Sequence, residues 1–164
     1  MTHVLPQVAH EHHERLLSHV NQMPDIADAL LDADGESVRG TVQALSAFLT
    51  GTLLPHVEAA ETTLYPVLER LFQNRHSMSP MRREHAEVRR LVGEFAHMAE
   101  TFDPRRHTIG RTLAIRRVMF QLYSLLKVHI AEEELYLRIV DQGVATDIGD
   151  LLAAAMEHPG IRPA

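Results

Sequence analysis

Apolar residues recur every three to four positions along four long stretches of this 164-residue chain, and strand-like alternation is lacking. The periodicity predicts an all-α fold with four long helices, over about residues 5–31, 36–72, 79–101 and 109–141. The first helix should bend at Met23-Pro24, because proline inside a helix removes a backbone donor. Ser79 is predicted as the N-cap of the third helix, with Pro80 in its first turn. A short final helix is expected near residues 147–156.

Short polar segments join these stretches, which predicts an antiparallel up-down four-helix bundle. A length of 164 residues fits a single domain, and 45% hydrophobic content is enough to bury one continuous core. We expect the bundle over about residues 5–141, followed by a C-terminal extension over about 142–164. The first helix should pair with the second, and the third with the fourth.

Composition narrows the kinds of site and partner. The chain has no cysteine, so any metal site must use imidazole and carboxylate ligands. A formal net charge of −6 argues against a nucleic-acid partner, and local arginine clusters are read as solvated helix faces. The chain shows neither a leader pattern at its start nor an apolar run of membrane-spanning length. We therefore expect no membrane partner and a cytoplasmic location, while a protein partner is not predictable.

One pattern of histidines and acids occurs twice. His13 and His56 are 43 positions apart, and His85 and His129 are 44 apart. A carboxylate follows the second histidine of each pair, at Glu61 in the first half and within an acidic triplet in the second. Because both hairpins of a bundle face the same interior, the repeat predicts two half-sites that face one pair of metal ions.

His129 and Glu133 form the strongest ligand pair. They are four residues apart, hence separated by only about 40° around a helix, and both lie on the apolar stripe. A buried carboxylate at that place would be costly without a cation. Glu132 and Glu134 point to either side of the stripe and are interpreted as solvated surface acids, with the choice between Glu132 and Glu133 left open.

The second helix is less regular. Glu61 follows His56 by five residues, about 140° around a regular helix, and the position four residues on is Ala60, which has no donor atom. Pro55 and Pro66 bracket the segment, so a local kink or a single π-type turn would rotate Glu61 inward. The sequence leaves open whether Glu61 reaches the metal.

Spacing relative to apolar residues decides between the other ligands. His13 precedes apolar residues by three and seven positions, as His85 does, whereas His12 does not. His13 is therefore preferred, with His12 as the alternative. Glu58 points away from the apolar face and is a weaker substitute for Glu61. On a regular second helix, that face would comprise Leu45, Phe48, Leu49, Thr52, His56, Ala60, Thr63 and Val67.

Two tyrosines lie close to the predicted ligands. Tyr65 is interpreted as a core aromatic whose hydroxyl bonds to water or to an acid. Tyr136 follows His129 by seven residues on the same helix face, where it could bond to a metal ligand, quench a radical or limit access. Core filling is the predicted role of the methionines, notably Met78, Met81, Met98 and Met119.

These motifs resemble the hemerythrin-like, or HHE cation-binding, family over roughly residues 5–141. In the second helix the resemblance lies in Leu53-Leu54-Pro55-His56 and Glu61-Thr62-Thr63-Leu64-Tyr65-Pro66. In the fourth it lies in Lys127-Val128-His129, the acidic triplet and Leu135-Tyr136. Spacing, residue type and helix order agree together.

The resemblance implies two non-haem iron ions, with an oxo or hydroxo bridge, inside the bundle. Carried over residue by residue, it implies terminal nitrogen ligands from four histidines and bridging carboxylates from two glutamates. These are His13, His56, His85 and His129, and Glu61 and Glu133.

Two departures from the family pattern bear on function. Ala60 stands where the family usually has its first acid, and Arg89 stands where typical hemerythrins have a further histidine. A centre with fewer imidazoles would be more open, which disfavours simple oxygen carriage. The sequence therefore predicts a di-iron protein that binds or reduces O2, peroxide or NO. The alternatives are a non-enzymatic iron or oxygen sensor, or a bundle whose metal site is degenerate.

Overall fold

The computed structural model describes the backbone of residues 4–32, 35–103 and 108–145, and the side chains of residues 9–31, 38–103 and 108–139. All regular structure in these ranges is helical. The predicted all-α four-helix bundle is confirmed. The short helix predicted near residues 147–156 lies outside the described residues, as does most of the predicted C-terminal extension.

Four arms build the bundle. The first arm consists of α1 (Val4–Val20) and α2 (Met23–Asp32), and the second of α3 (Gly35–Phe48), α4 (Leu54–Ala59) and α5 (Tyr65–Leu71). The third arm is α6 (Ser79–Glu100) and the fourth is α7 (Ile109–Ala145). α7 packs against α1, α2 and α6, and α3 packs against α2 and α6, so each arm has two neighbours.

The predicted bend in the first helix and the predicted start of the third helix both lie close to their expected positions. The first arm breaks at Asn21 and Gln22, and Pro24 is the second residue of α2. Ser79 is the first residue of α6 rather than its N-cap, because the carbonyl of Met78 accepts the first helical bond, from Arg82. No side-chain cap is present at this end.

Two π turns interrupt the second arm, at Leu49–Leu53 and at Ala60–Leu64. Each ends two residues before a proline, Pro55 or Pro66. A proline cannot donate to the carbonyl four residues earlier and its ring crowds that carbonyl, so a wider turn relieves the conflict. The prolines predicted a kink or one such turn near Glu61; the structure has that turn and a second one.

The π turns change which residues of the second arm are buried. Thr52, Thr63 and Val67 were expected inside on a regular helix, but all three are exposed. Each π turn accommodates one extra residue and so shifts the inward face along the chain. Buried positions now include Leu53, Val57, Tyr65 and Leu68.

Two apolar clusters fill the interior. The larger contains residues of all four arms, among them Leu16, Leu49, Phe95 and Leu122. The smaller lies around α5 and the start of α6, and comprises Ala60, Tyr65, Leu68, Met78 and Met81. Met78, Met81 and Met119 are buried and Met98 packs against the core, as predicted.

The buried polar residues include three histidines and one acid, His13, His85, His129 and Glu133. Along α6, His85 stands between Met81 of the smaller cluster and Val88 of the larger one. A polar layer therefore separates two apolar parts of one interior. Within the described parts of the chain, every helix is too short or too polar to cross a lipid bilayer.

Candidate metal centre

The carboxylate of Glu133 is the centre of the polar layer. This residue of α7 is fully buried, with 0% exposure. Its Oε2 lies 3.1 Å from Nε2 of His13 and 3.2 Å from Nε2 of His56. Its Oε1 lies 3.6 Å from Nε2 of His129 and 3.9 Å from Nε2 of His85. Each carboxylate oxygen thus faces one pair of imidazoles.

The donors divide into two groups that share Glu133. Half-site 1 consists of His13, His56 and Glu133, and half-site 2 consists of His85, His129 and Glu133. In each group, the ligand atoms lie within 4.8 Å of one another. The first and second arms supply the imidazoles of half-site 1, and the third and fourth arms supply those of half-site 2. This arrangement matches the repeat read from the sequence.

The sequence is compatible with His12 or His13, and with Glu132 or Glu133, as ligands, and the geometry favours one member of each pair. His13 is 2% exposed and faces Glu133, whereas His12 is half-buried and lies against the ring of His56, with centroids 5.0 Å apart. Glu133 belongs to both half-sites, and Glu132 belongs to neither. His19, His76 and His97 are exposed.

Tyr65 reaches the same centre from the second arm. Its hydroxyl donates a 2.6 Å hydrogen bond to Oε1 of Glu133 and lies 3.1 Å from Nε2 of His85. The interpretation of Tyr65 as a buried aromatic bonded to an acid is confirmed. Tyr136 instead packs against Phe72, with ring centroids 6.1 Å apart. Half-site 2 therefore has a nearby hydroxyl, for which half-site 1 shows no counterpart among the described residues.

The second π turn explains why Tyr65 points inward. Tyr65 follows His56 by nine residues, which on a regular helix would place the two about 180° apart. The one extra residue held by the turn reduces the separation to about 80°. A regular second helix would direct this tyrosine away from the centre.

Glu61 does not join either half-site. Its Oε1 lies 3.0 Å from Nδ1 of His85, on the opposite side of that ring from Glu133. Arg89 holds the same carboxylate, with Nη2 2.7 Å from Oε2 and Nη1 3.0 Å from Oε1. The family resemblance implied that Glu61 bridges two metal ions. The structure instead places Glu61 behind the imidazole of His85, because the π turn moves Tyr65 rather than Glu61 to the centre.

Two further acids contact histidines of the half-sites, and neither contact was predicted from the sequence. Glu84 lies 2.8 Å from Nδ1 of His129, and Glu134 lies 2.6 Å from Nδ1 of His13. Glu134 also lies 2.5 Å from Nδ1 of His10. Apolar periodicity predicted Glu134 at the surface, because a periodic pattern carries no information about contacts between helices. The sequence signal for both is adjacency to a predicted ligand, since Glu84 precedes His85 and Glu134 follows Glu133.

Electrostatics keep the carboxylate of Glu133 ionised. Burial alone would raise the pKa of Glu133, but hydrogen bonds with His129, His13 and His56 outweigh it and hold the pKa far below its usual range. Burial and the adjacent His129 lower the pKa of His85 to about 4, so this imidazole stays neutral. Burial and the charge of Glu133 raise the pKa of the Tyr65 hydroxyl, which therefore keeps its proton.

The donor chemistry fits a pair of divalent or trivalent cations. Nε2 of His85 and Nε2 of His129 lie only 2.8 Å apart and face the same carboxylate, as two ligands of one cation do. Imidazole nitrogen and carboxylate oxygen are ordinary donors for iron, zinc and manganese. A buried carboxylate shared by two imidazole pairs is suited to bridging two such ions.

The family model of the hemerythrin HHE cation-binding domain matches residues 7–140. The match covers most of the chain, including all four arms and both half-sites. The chain therefore belongs to the hemerythrin HHE cation-binding family. Comparison with curated proteins and with solved structures gave no significant match.

Proposed function

We propose that the protein is a non-haem di-iron protein that binds or reduces a small ligand such as O2, peroxide or NO. The observation that carries the proposal is the convergence of four imidazole Nε2 atoms, in two pairs, on the two oxygens of Glu133. Family membership supports a bound cation. The cytoplasmic location expected from the sequence is part of the same proposal.

Each ion would be held by one half-site. His13 and His56 would bind one, His85 and His129 would bind the other, and Glu133 would bridge them. Iron is proposed because imidazole and carboxylate donors suit it and because the sequence resembles a di-iron family. Tyr65 would either donate to Glu133, as it does in this structure, or supply its oxygen to half-site 2.

When bound, the iron pair would supply the electron chemistry that the side chains lack. The chain itself holds and shields the centre. Tyr65 fixes one oxygen of Glu133 by its 2.6 Å hydrogen bond. The apolar clusters on either side of the polar layer limit the access of water. The unequal surroundings of the half-sites favour binding of a small ligand at one ion rather than symmetrically at both.

Removing one imidazole from each half-site tests this arrangement. We expect wild-type protein, loaded with ferrous ion without oxygen and then desalted, to retain about two irons per chain. His13→Ala and His129→Ala should each retain about one or fewer, because each removes a donor from a different half-site. Elemental analysis against protein concentration gives the count.

His97→Ala is the matched control, since His97 lies exposed on α6. It should bind iron as the wild type does. A wild-type chain that holds no iron above the level of a non-binding protein would contradict the proposed function and would favour the degenerate bundle.

A second candidate function, a metal-responsive sensor, is favoured by a different observation. The four imidazoles come from four separate arms, so a bound ion would tie the whole bundle together. A ligand that binds only the folded state at 100 times its Kd stabilises it by about 2.7 kcal/mol. For a chain of this size, that corresponds to a rise in Tm of about 5–11 °C.

Chelator-treated and iron-loaded protein should therefore differ in Tm by at least this amount, measured by calorimetry. Peroxide turnover well above that of free ferrous ion would identify an enzyme. A large Tm shift with a change in oligomeric state, but no turnover, would identify a sensor. Equal Tm values with and without iron would contradict both functions.

A further inference from the structure

Three of the four imidazoles that face Glu133 contact another carboxylate through their remaining ring nitrogen. The three contacts join Nδ1 of one histidine to one glutamate. They are His85 to Glu61 at 3.0 Å, His129 to Glu84 at 2.8 Å and His13 to Glu134 at 2.6 Å. We call Glu61, Glu84 and Glu134 the outer carboxylates.

These contacts follow a regular order around the bundle. Glu61 reaches from the second arm to the third, and Glu84 from the third to the fourth. Glu134 reaches from the fourth arm back to the first. Each outer carboxylate thus connects a ligand imidazole to a neighbouring arm. The side chains of Glu61, Glu84 and Glu134 are 22%, 25% and 23% exposed, so they lie at the edge of the core. Water weakens a hydrogen bond less there than at an open surface.

The chemistry of imidazole gives these contacts a consequence. A neutral imidazole has one N–H and one lone pair, and the partner of one nitrogen decides which atom carries the proton. A carboxylate that accepts a hydrogen bond from Nδ1–H keeps the proton on that nitrogen, so that Nε2 can offer its lone pair to a metal ion. In this structure the Nε2 atoms of His85, His129 and His13 are those that face Glu133.

Two of the outer carboxylates are themselves held in place. Both oxygens of Glu61 accept bonds from the guanidinium of Arg89, a geometry that fixes the plane of the carboxylate. Glu134 lies between His10 and His13 and contacts both. Arg89, which stands where typical hemerythrins have a further histidine, thus anchors Glu61 here.

We propose that Glu61, Glu84 and Glu134 are positioning residues, which hold the ligand imidazoles in the metal-binding tautomer and orientation. This inference rests on the proposed metal function. It assigns Glu61 to the orientation of His85 and not to the bridging of two ions. His56 is the internal exception, because within the described residues no carboxylate contacts its Nδ1, and its ring lies against His12 instead.

Metal binding by three variants tests the proposal. In Glu61→Gln, Glu84→Gln and Glu134→Gln, the stoichiometry should stay at about two ions per chain while the affinity for one ion falls by about 10–100-fold. The corresponding alanine variants should lose at least as much affinity, because no acceptor oxygen remains. Competition of Co2+ against a chromophoric chelator measures both quantities. Glu58→Gln is the matched control, since Glu58 is exposed on the same arm as Glu61.

A second readout separates positioning from general damage to the fold. In Co2+-loaded protein, ligand imidazole N–H protons give strongly shifted proton NMR signals, and an N–H bonded to a carboxylate exchanges slowly with water. The wild type should show three such slowly exchanging signals, one for each outer contact. Each glutamine or alanine variant should shift or lose one of them and leave the other two.

The outcomes are distinguishable. Loss of one ion from Glu61→Gln would show that Glu61 is a ligand and would overturn its assignment as a positioning residue. Wild-type affinity and unchanged signals in all three variants would overturn the inference and leave the proposed function intact. A wild-type chain that binds neither Co2+ nor ferrous ion would overturn both. Circular dichroism of the metal-free variants identifies any that fail to fold. Where an alanine variant fails to fold, the glutamine variant at the same position is used.

Discussion

Glu133→Gln is expected to abolish tight binding of both metal ions. Each oxygen of this carboxylate faces a different pair of imidazoles, so one substitution removes a donor and a negative charge from both half-sites. The affinity should fall by more than the roughly 10–100-fold that follows loss of an outer hydrogen-bond partner. Metal analysis after desalting should find far less than one ion per chain, where the single-histidine variants retain up to about one.

Glu132→Gln provides the control for this experiment. It makes the same change of charge one position away on α7, but Glu132 belongs to neither half-site. Its metal content and affinity should match the wild type. Retention of two tightly bound ions by Glu133→Gln would show that the imidazoles alone suffice, and the bridging role of Glu133 would have to be abandoned.

Tyr65→Phe is expected to have the second-largest effect. The substitution removes a fully buried hydroxyl that donates a 2.6 Å hydrogen bond to an ionised carboxylate. A hydrogen bond to a charged group contributes about 1.5–3 kcal/mol, so the metal-free protein should lose about that much free energy of unfolding. Urea denaturation at neutral pH measures the loss. In iron-loaded protein the visible absorption should also change, because the hydroxyl lies beside half-site 2.

Tyr136→Phe is the appropriate comparison. Tyr136 is half-buried and packs against Phe72, away from the shared carboxylate. Removal of its hydroxyl should change the free energy of unfolding by no more than about 0.5 kcal/mol and leave the spectrum unaltered. Equal effects of the two substitutions would mean that the hydrogen bond between Tyr65 and Glu133 does not contribute measurably to the free energy of unfolding.

The parts of the site that lie on regular helices were predictable from the sequence. His129 and Glu133 are four residues apart on α7, so simple helix geometry places both on the buried face. The spacing of His13 and His85 to apolar residues predicted that both are buried. The repeated histidine spacing then linked His13 to His56 and His85 to His129. The fold followed from the same periodicity, since long amphipathic helices with short connections have few other ways to bury one face each.

In the second arm, apolar periodicity was not sufficient to predict which side chain reaches the centre. Proline positions indicated that the helix near Glu61 is disturbed, but they did not fix how many extra residues the disturbance holds. That number decides whether Glu61 or Tyr65 reaches the centre, since one residue changes the direction of a side chain by about 100°. In the structure, the side chain of Tyr65 reaches the centre and bonds to Glu133.

The outer carboxylates could not be found by counting along one helix. Glu84 and Glu134 each contact a histidine on another arm, so their roles depend on how the arms are packed. A sequence pattern records the face on which a residue lies, and an acid at the edge of that face is indistinguishable from a solvated one. Only the relative rotation of neighbouring helices decides between the two.

A single carboxylate at the meeting point of four arms has a thermodynamic consequence. Glu133 cannot rotate to suit one imidazole pair without turning its second oxygen relative to the other pair. The two half-sites are therefore coupled through one rigid group, and a metal ion in either would alter the free energy of binding in the other. If each half-site binds an ion, as proposed, this one shared side chain would make the two binding events cooperative.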